Sequence, residues 1–288
     1  MSNIVVSPHS LSTLTGIEIL RNGGNAIDSA IATNIVQGVV APETCGIGGD
    51  LFALIWINGE NKPYCLDSSG YAGSNVDLSS LSSYTNIPLD HPMSVTVPGA
   101  VRGWYAMHER FGRLEMKDLF SQAIEICSKG FKVSSELHQS LKSHEETLKI
   151  QDSGKELYPF GKVPNIGDTV QRTMLGRTLK SISDQGSDYF YSGKASEAIS
   201  DSLSNIVTTE DISSFHPQWI EPLSIEIYGK IGWVTPPHTQ SYLTLATLKI
   251  YEMLDGDSKD IDLHTLIESY RAAASQRDDI TYDYGNNI

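Results

Sequence analysis

Cysteine is scarce in this chain: Cys45, Cys65 and Cys127 are the only 3 in 288 residues. An odd number, widely spaced and without a CxxC pair, indicates neither a disulfide framework nor a zinc site. Buried free thiols are the expectation. Long apolar runs are also missing. No stretch approaches the roughly 20 residues of a membrane span. The N-terminal MSNIVVSPHS has no basic region followed by an apolar run, so it does not read as a secretory signal. With no export signal visible and free thiols, a cytoplasmic location is favoured. Positive charge is in short supply, 21 Lys and Arg against 35 Asp and Glu, for a net −14. That balance argues against nucleic-acid partners and against docking on an anionic membrane. The 8 histidines form no HExxH or other metal-ligand spacing, and no GxSxG elbow occurs. Neither a metal nor a cofactor is expected.

What is present is globular. At 288 residues the chain suffices for one large domain or two small ones, with a core that needs no staples. Its hydrophobic spacing predicts an α/β chain with several hairpins. IVVS, at 4–7, reads as a short buried strand. SLSTLTGIEILRNGG has Leu14, Ile17 and Leu20 at helical spacing, with Gly23 and Gly24 placed to end the helix. Asn25 caps a second helix whose Ala26, Ala30, Ile31, Ala32, Ile35 and Val39 make it apolar on most sides, hence buried. The runs 51–57 and 64–66 flank NGEN, a hairpin signal.

Pro98 and Gly112 bound a further helix. EMKDLFSQAIEICSKG and SSELHQSLKSHEETL follow with helical spacing, and 151–170 reads as an exposed, turn-rich connection. Two more helical patterns lead to IVTTEDISSFHPQW. PLSIEIYGKIGWVTPP is a second hairpin around Gly229 and Lys230, and helices over about 241–254 and 261–277 close the chain. No repeat or linker divides residues 1–288, which are read as one unit.

Motifs alone supply no complete active site. The glycines at 46–49 run from a helix into a strand, and no Gly-Lys-Ser/Thr follows. A phosphate cradle runs the other way, from strand to helix N-terminus. Glu268 with Arg271, and Glu109 with Arg113, read as ion-paired helix faces.

The order of features, however, resembles the large, N-terminal subunit of the gamma-glutamyltranspeptidase family. The segments that carry the resemblance are LSTLTGIEILRNGGNAIDSAIA, APETCGIGGDLFALIW, MSVTVPGAVRGWYAMHERFGRLEMKDLFSQAIEICSKGFKVS, TTEDISSFHPQWIEPLSIEIYGKIGWVTPP and LHTLIESYRAAASQRDD. Together they span nearly the whole chain in order. The resemblance implies a four-layer αββα N-terminal-nucleophile hydrolase fold, completed by a second chain or a C-terminal segment. It implies a precursor that cleaves itself before a threonine. That threonine attacks an amide, with its own α-amine as base, and passes the acyl group to water or an amine. Thr208-Thr209 is not that nucleophile. Its context, TTEDISSF, makes it a helix cap. The catalytic threonine is therefore expected on a small subunit beyond Ile288, and residues 1–288 as the large-subunit part, with no catalytic residue of their own. The expected substrate is a small-molecule amide or peptide.

Departures from the family pattern bear on substrate. Gamma-glutamyl enzymes carry Asp-x-Arg-Glu-x-Ala-Pro after the first hairpin, where the arginine holds the glutamyl α-carboxylate. LDSSGYAG keeps Asp67 and Ala72 but has Ser69 at the arginine position and Gly73 at the proline. Ser69 and Tyr71 are thus the candidate substrate-binding residues, facing a neutral or differently placed group; a plain turn is the alternative. Further on, Tyr242 stands where the family has a glycine, after TPPHTQS. Four readings stay open: a gamma-glutamyltransferase or glutathione hydrolase, an amidohydrolase for another acyl group, a non-catalytic binding or scaffold member, and an unrelated α/β enzyme with chance glycines.

Overall fold

The break at 23–25 does what its residues are suited to do. In the computed structural model, which describes residues 3–281 apart from 83, 89, 238 and 256–259, Ser10–Arg21 and Ala26–Val40 are helices. Asn25 joins them with a full capping box, its side chain accepting from the amides of Ile27 and Asp28 while the Asp28 carboxylate accepts from the Asn25 amide. Asp28 is wholly buried and also accepts from the amides of Arg113 and Leu114. His238 and residues 282–288 lie outside the described residues.

The chain divides into two compact units, Met1–Asp50 with Ser69–His216, and Leu51–Ser68 with Pro217–Ile288. The first is helical. Helix Met116–Lys129 turns Leu119, Phe120, Ala123, Ile126 and Cys127 inward, an i, i+1, i+4, i+7, i+8 stripe. Helix Ala100–Phe111 contributes Trp104, whose ring meets Phe120 edge-on and whose Nε1 donates to Asn34 Oδ1 at 2.8 Å. Ile31, Ile35, Leu179 and Ile182 complete this core.

The second unit holds the sheets. Leu51–Ile55 and Tyr64–Ser68 pair antiparallel, and Gln218–Ile220 adds to the far side of Tyr64–Ser68. Leu223–Ile227 and Lys230–Val234 form the second hairpin, turning through Tyr228 and Gly229, both at positive φ as a tight two-residue turn requires. Helices Tyr242–Asp255 and Leu263–Ala274 follow.

Several expectations are corrected. The segment at 4–7 is extended but joins no strand among the described residues, and Ile4 and Val6 are 82% and 85% exposed. Pro98 lies just ahead of its helix, which begins at Ala100. SSELHQSLKSHEETL breaks at His144 into two helices. The stretch at 151–170 is not simply exposed. Leu157 and Tyr158 are buried, Tyr158 donating to Leu141 O at 2.8 Å, and Thr169–Val170 pairs with Phe131–Lys132. Arg113 points its guanidinium at Gly23 O, 3.4 Å away, and not at Glu109.

Candidate functional site

The stretch carrying Ser69 and Tyr71 leaves the first hairpin and is fixed over its whole length within the helical unit. Gly70 N–H donates to Asp50 Oδ1 at 3.1 Å. Ser69 is half-buried beside it. Tyr71 O accepts from Val97 N–H at 3.0 Å, and Ala72 bridges Thr96. A Cβ at Gly70 would sit 1.6 Å from Val97 O, so only glycine admits this approach.

Beyond it the chain lies against 205–214. A Cβ at Gly73 would meet Ile206 O at 2.1 Å. Asn75 donates from its backbone to Ile206 O and from its side chain to Asn205 O, at 3.3 and 2.9 Å. Ser74 donates to Asp211 Oδ2 through both N–H and hydroxyl, each at 3.0 Å. The same Oδ2 takes the Thr208 amide at 2.8 Å, because Asp211 is the third residue of helix Thr209–Ser214 and closes its capping box. Partial desolvation works to raise the Asp211 pKa, but the hydrogen bonds from Ser74 and Thr208 outweigh it and leave the carboxyl below its ordinary value.

Tyr71 is anchored in the same place. Its hydroxyl donates to Asp211 O at 2.6 Å and lies 2.9 Å from Ser214 Oγ. Its ring tilts against Phe215, which stacks on Tyr191. Arg102 lies over the Tyr191 ring, 4.3 Å from its centroid, and donates to Ser213 O at 3.0 Å. Burial lowers the Arg102 pKa, while Tyr191, Asp188 and Tyr71 act against that shift. Tyr191 donates to Pro98 O and accepts from the Arg102 amide. Burial pushes its phenol well above the ordinary value.

The structure thus puts Ser69 and Tyr71 on one pinned loop and gives the Tyr71 hydroxyl protein partners. Arg102 and Asp211, which lie around this loop, were not among the candidate residues read from the sequence. A charge inside the apolar VPGAVRGW was the available signal for the first, and the capping-box spacing of Thr208 and Asp211 for the second. Thr208 itself is a cap, its Oγ1 accepting from Asp211 N–H at 3.1 Å. The glycines at 46–49 present an acceptor. Gly49 O takes the amides of Gly99 and Ala100 at the start of helix Ala100–Phe111, the reverse of what a phosphate needs. Burial raises all three thiols, Cys65 to about 11 and Cys127 to about 12. Among the described residues no cluster of His, Cys, Asp or Glu could hold a metal, and no helix is long and apolar enough to cross a membrane.

A groove of about 840 Å³ runs between the extended segment at 3–8 and helix Ala26–Val40. On its helix side, Thr33 Oγ1 and Gln37 Oε1 are buried without a hydrogen-bond partner among the described residues.

Comparison with known proteins places this geometry. The gamma-glutamyltranspeptidase family model matches residues 12–286. The chain is 30% identical to the glutathione hydrolase-like YwrD proenzyme of Bacillus subtilis, over 97% of this chain and 55% of that protein. It is also 30% identical to the oxamate amidohydrolase proenzyme of Klebsiella pneumoniae, over 96% of this chain and 54% of that one. The chain therefore spans about half the length of the curated relatives it matches. The crystal structure of the Bacillus anthracis transpeptidase enzyme CapD superposes with a TM-score of 0.81 at 29% identity, covering 98% of this chain and 95% of that chain.

Proposed function

The chain belongs to the gamma-glutamyltranspeptidase family, whose members are enzymes with the N-terminal-nucleophile hydrolase fold, and on that basis we propose that it is the large-subunit part of an amide hydrolase or acyltransferase. A partner segment carries the nucleophilic threonine. That hydroxyl, with the threonine's own α-amine as base, takes the acyl group from an amide and yields it to water or an amine. The large subunit shapes the acyl site through the loop at 69–75.

The observation that carries this reading is the unbroken match over residues 12–286. The chemistry of the chain agrees with a nucleophile held elsewhere. Its thiols are raised by burial, away from the thiolate, and the Thr208 hydroxyl is committed to a helix cap. The partner segment has places to go. The segment at 4–7 leaves Ile4 and Val6 exposed and joins no strand among the described residues, and Thr33 Oγ1 and Gln37 Oε1 in the groove behind it have no hydrogen-bond partner among those residues.

Substrate choice turns on Ser69. A bidentate guanidinium suits a planar carboxylate, and a hydroxyl cannot replace it. We therefore assign the acyl donor to amides without a carboxylate at that point, and expect weak turnover of gamma-glutamyl anilides. That one relative is named an oxamate amidohydrolase supports a site that has moved away from the glutamyl group.

Ser69→Arg in the assembled protein tests this. The ratio of kcat/KM for a gamma-glutamyl anilide over an uncharged butyryl anilide should rise by about tenfold. That is roughly 1.4 kcal/mol, less than the 2–5 kcal/mol at stake in a native clamp, because nothing here is built to orient the new arginine. Using a ratio removes any general loss of folded enzyme. Strong wild-type turnover of gamma-glutamyl donors, unmoved by the substitution, would refute the assignment.

A further inference from the structure

The loop at 69–75 is gripped from one side by a strained piece of chain. Ser204 and Asn205 both have positive φ, 53° and 59°, although neither is glycine. Two consecutive residues held in that region cost free energy that the surroundings must offset. The turn is fixed by Asn205, whose amide donates to Ser200 O at 2.8 Å while its side chain meets Ser200 Oγ. Its result is to aim two consecutive carbonyls, Asn205 O and Ile206 O, at Asn75. Five residues on, Asp211 closes the grip by taking both donors of Ser74 on the oxygen that already caps its own helix. Asp211 and Ser74 are 137 positions apart in sequence. The helix needs only the Thr208 bond; the Ser74 bonds serve the loop.

We infer that the segment 204–211 is a clasp that sets acyl-donor selectivity by holding the loop at 69–75 in one conformation, with Asp211 as its positioning residue. The inference rests on the reading of that loop as the wall of the acyl site. Asp211 does not touch the substrate. It acts by denying the loop alternative conformations that would admit other donors, since a site is selective only as far as its walls are fixed.

Two substitutions separate the clasp from the helix cap. Asp211→Asn keeps one acceptor oxygen but turns an NH2 group toward the Thr208 and Ser74 donors. Asp211→Glu keeps the capping box, for which glutamate at that position is well suited, but its longer arm shifts the carboxylate away from Ser74. Both are made in the assembled two-part protein. Selectivity is read with the gamma-glutamyl and butyryl anilides, and loop order by hydrogen exchange of the amides at 70–75.

In both variants, exchange at Ser74 should quicken at least tenfold. The ratio of kcat/KM between the two donors should move toward unity by about fivefold, through KM, with kcat for the better donor within twofold of wild type. Asp211→Glu should keep the wild-type melting temperature. Faster exchange with an unchanged donor ratio, in an enzyme where Ser69→Arg does move the ratio, would overturn the clasp while leaving the loop its place at the site. If Ser69→Arg and both Asp211 variants all leave the ratio unchanged, the loop does not face the donor and the clasp falls with it.

Discussion

The two units hold their apolar side chains very differently. Of the largest fully buried side chains among the described residues, Trp104, Tyr191, Phe120 and nearly all the others lie in the helical unit; Leu66 alone lies in the sheet-bearing one. The first strand of the sheet-bearing unit shows why. Leu51 and Ile55 are covered on one face, while Phe52, Leu54 and Trp56 lie bare on the other. Its hairpin exposes Leu223, Ile225 and Ile231, and its helices expose Met253, Leu254, Leu263 and Ile267. Strands apolar on both faces belong to sheets covered on both, and exposed apolar side chains, where they form contiguous patches, mark surfaces that meet other protein. One unit has its own core. The other, we propose, contributes half of a core that a partner segment completes.

The largest test of that contrast is to separate the chain from its proposed partner segment. Residues 1–288 expressed alone should aggregate or melt without cooperativity, and co-expression with the segment that carries the threonine should give a soluble complex in size-exclusion chromatography. A monomeric, cooperative melt of the isolated chain would break the comparison. Within the assembled protein, Trp104→Ala should cost about 3–5 kcal/mol in a denaturant titration, as a buried aromatic does. Leu254→Ala should cost about 2 kcal/mol or more if the bare face is covered there, but less than about 0.5 kcal/mol if it remains a surface. The second value decides whether the half core is completed.

The smallest effect is one of pH. The folded-state pKa of Asp211 is lowered. Its contribution to stability is therefore present above the unfolded value, about 4, and lost as pH falls through the folded one. The stability gap between wild type and Asp211→Asn should be constant from neutral pH to about 5 and shrink below about 4. A gap that persists undiminished under more acidic conditions would mean the carboxylate charge contributes nothing.

Local features were legible in the sequence. The Asn25 cap, the NGEN hairpin, the buried second helix and the Thr208 cap each depend on residues within a few positions of one another, and each formed as read. Pairings across the chain were not. Nothing in QWI shows that it adds to Tyr64–Ser68, and nothing in SSGYAGSN shows that Asp211 holds it. The strand expected at 4–7 shows the same limit from the other side. It reads as a buried strand, but Ile4 and Val6 are exposed and it joins no strand among the described residues, because pairing and burial depend on a neighbour that the residues themselves cannot name. Ser69 and Tyr71 were singled out as candidates by resemblance alone. Arg102 and the 204–211 grip appear only once the fold brings them to the loop.

Gly73 has a consequence for descent. A proline at that position, as the gamma-glutamyl enzymes have, would place its Cβ about where the Ile206 carbonyl now stands, 2.1 Å away. The two segments are thus a single inherited character: the glycine cannot be exchanged while the backbone at 206 lies this close. A proline-to-glycine exchange is compatible with either a wide or a close approach of the backbone at 206, whereas the close approach seen here is compatible with glycine alone. With the approach closed, the way back is barred to any single substitution. Grafting the gamma-glutamyl motif onto this chain therefore requires transplanting the stretch around 204–207 with it.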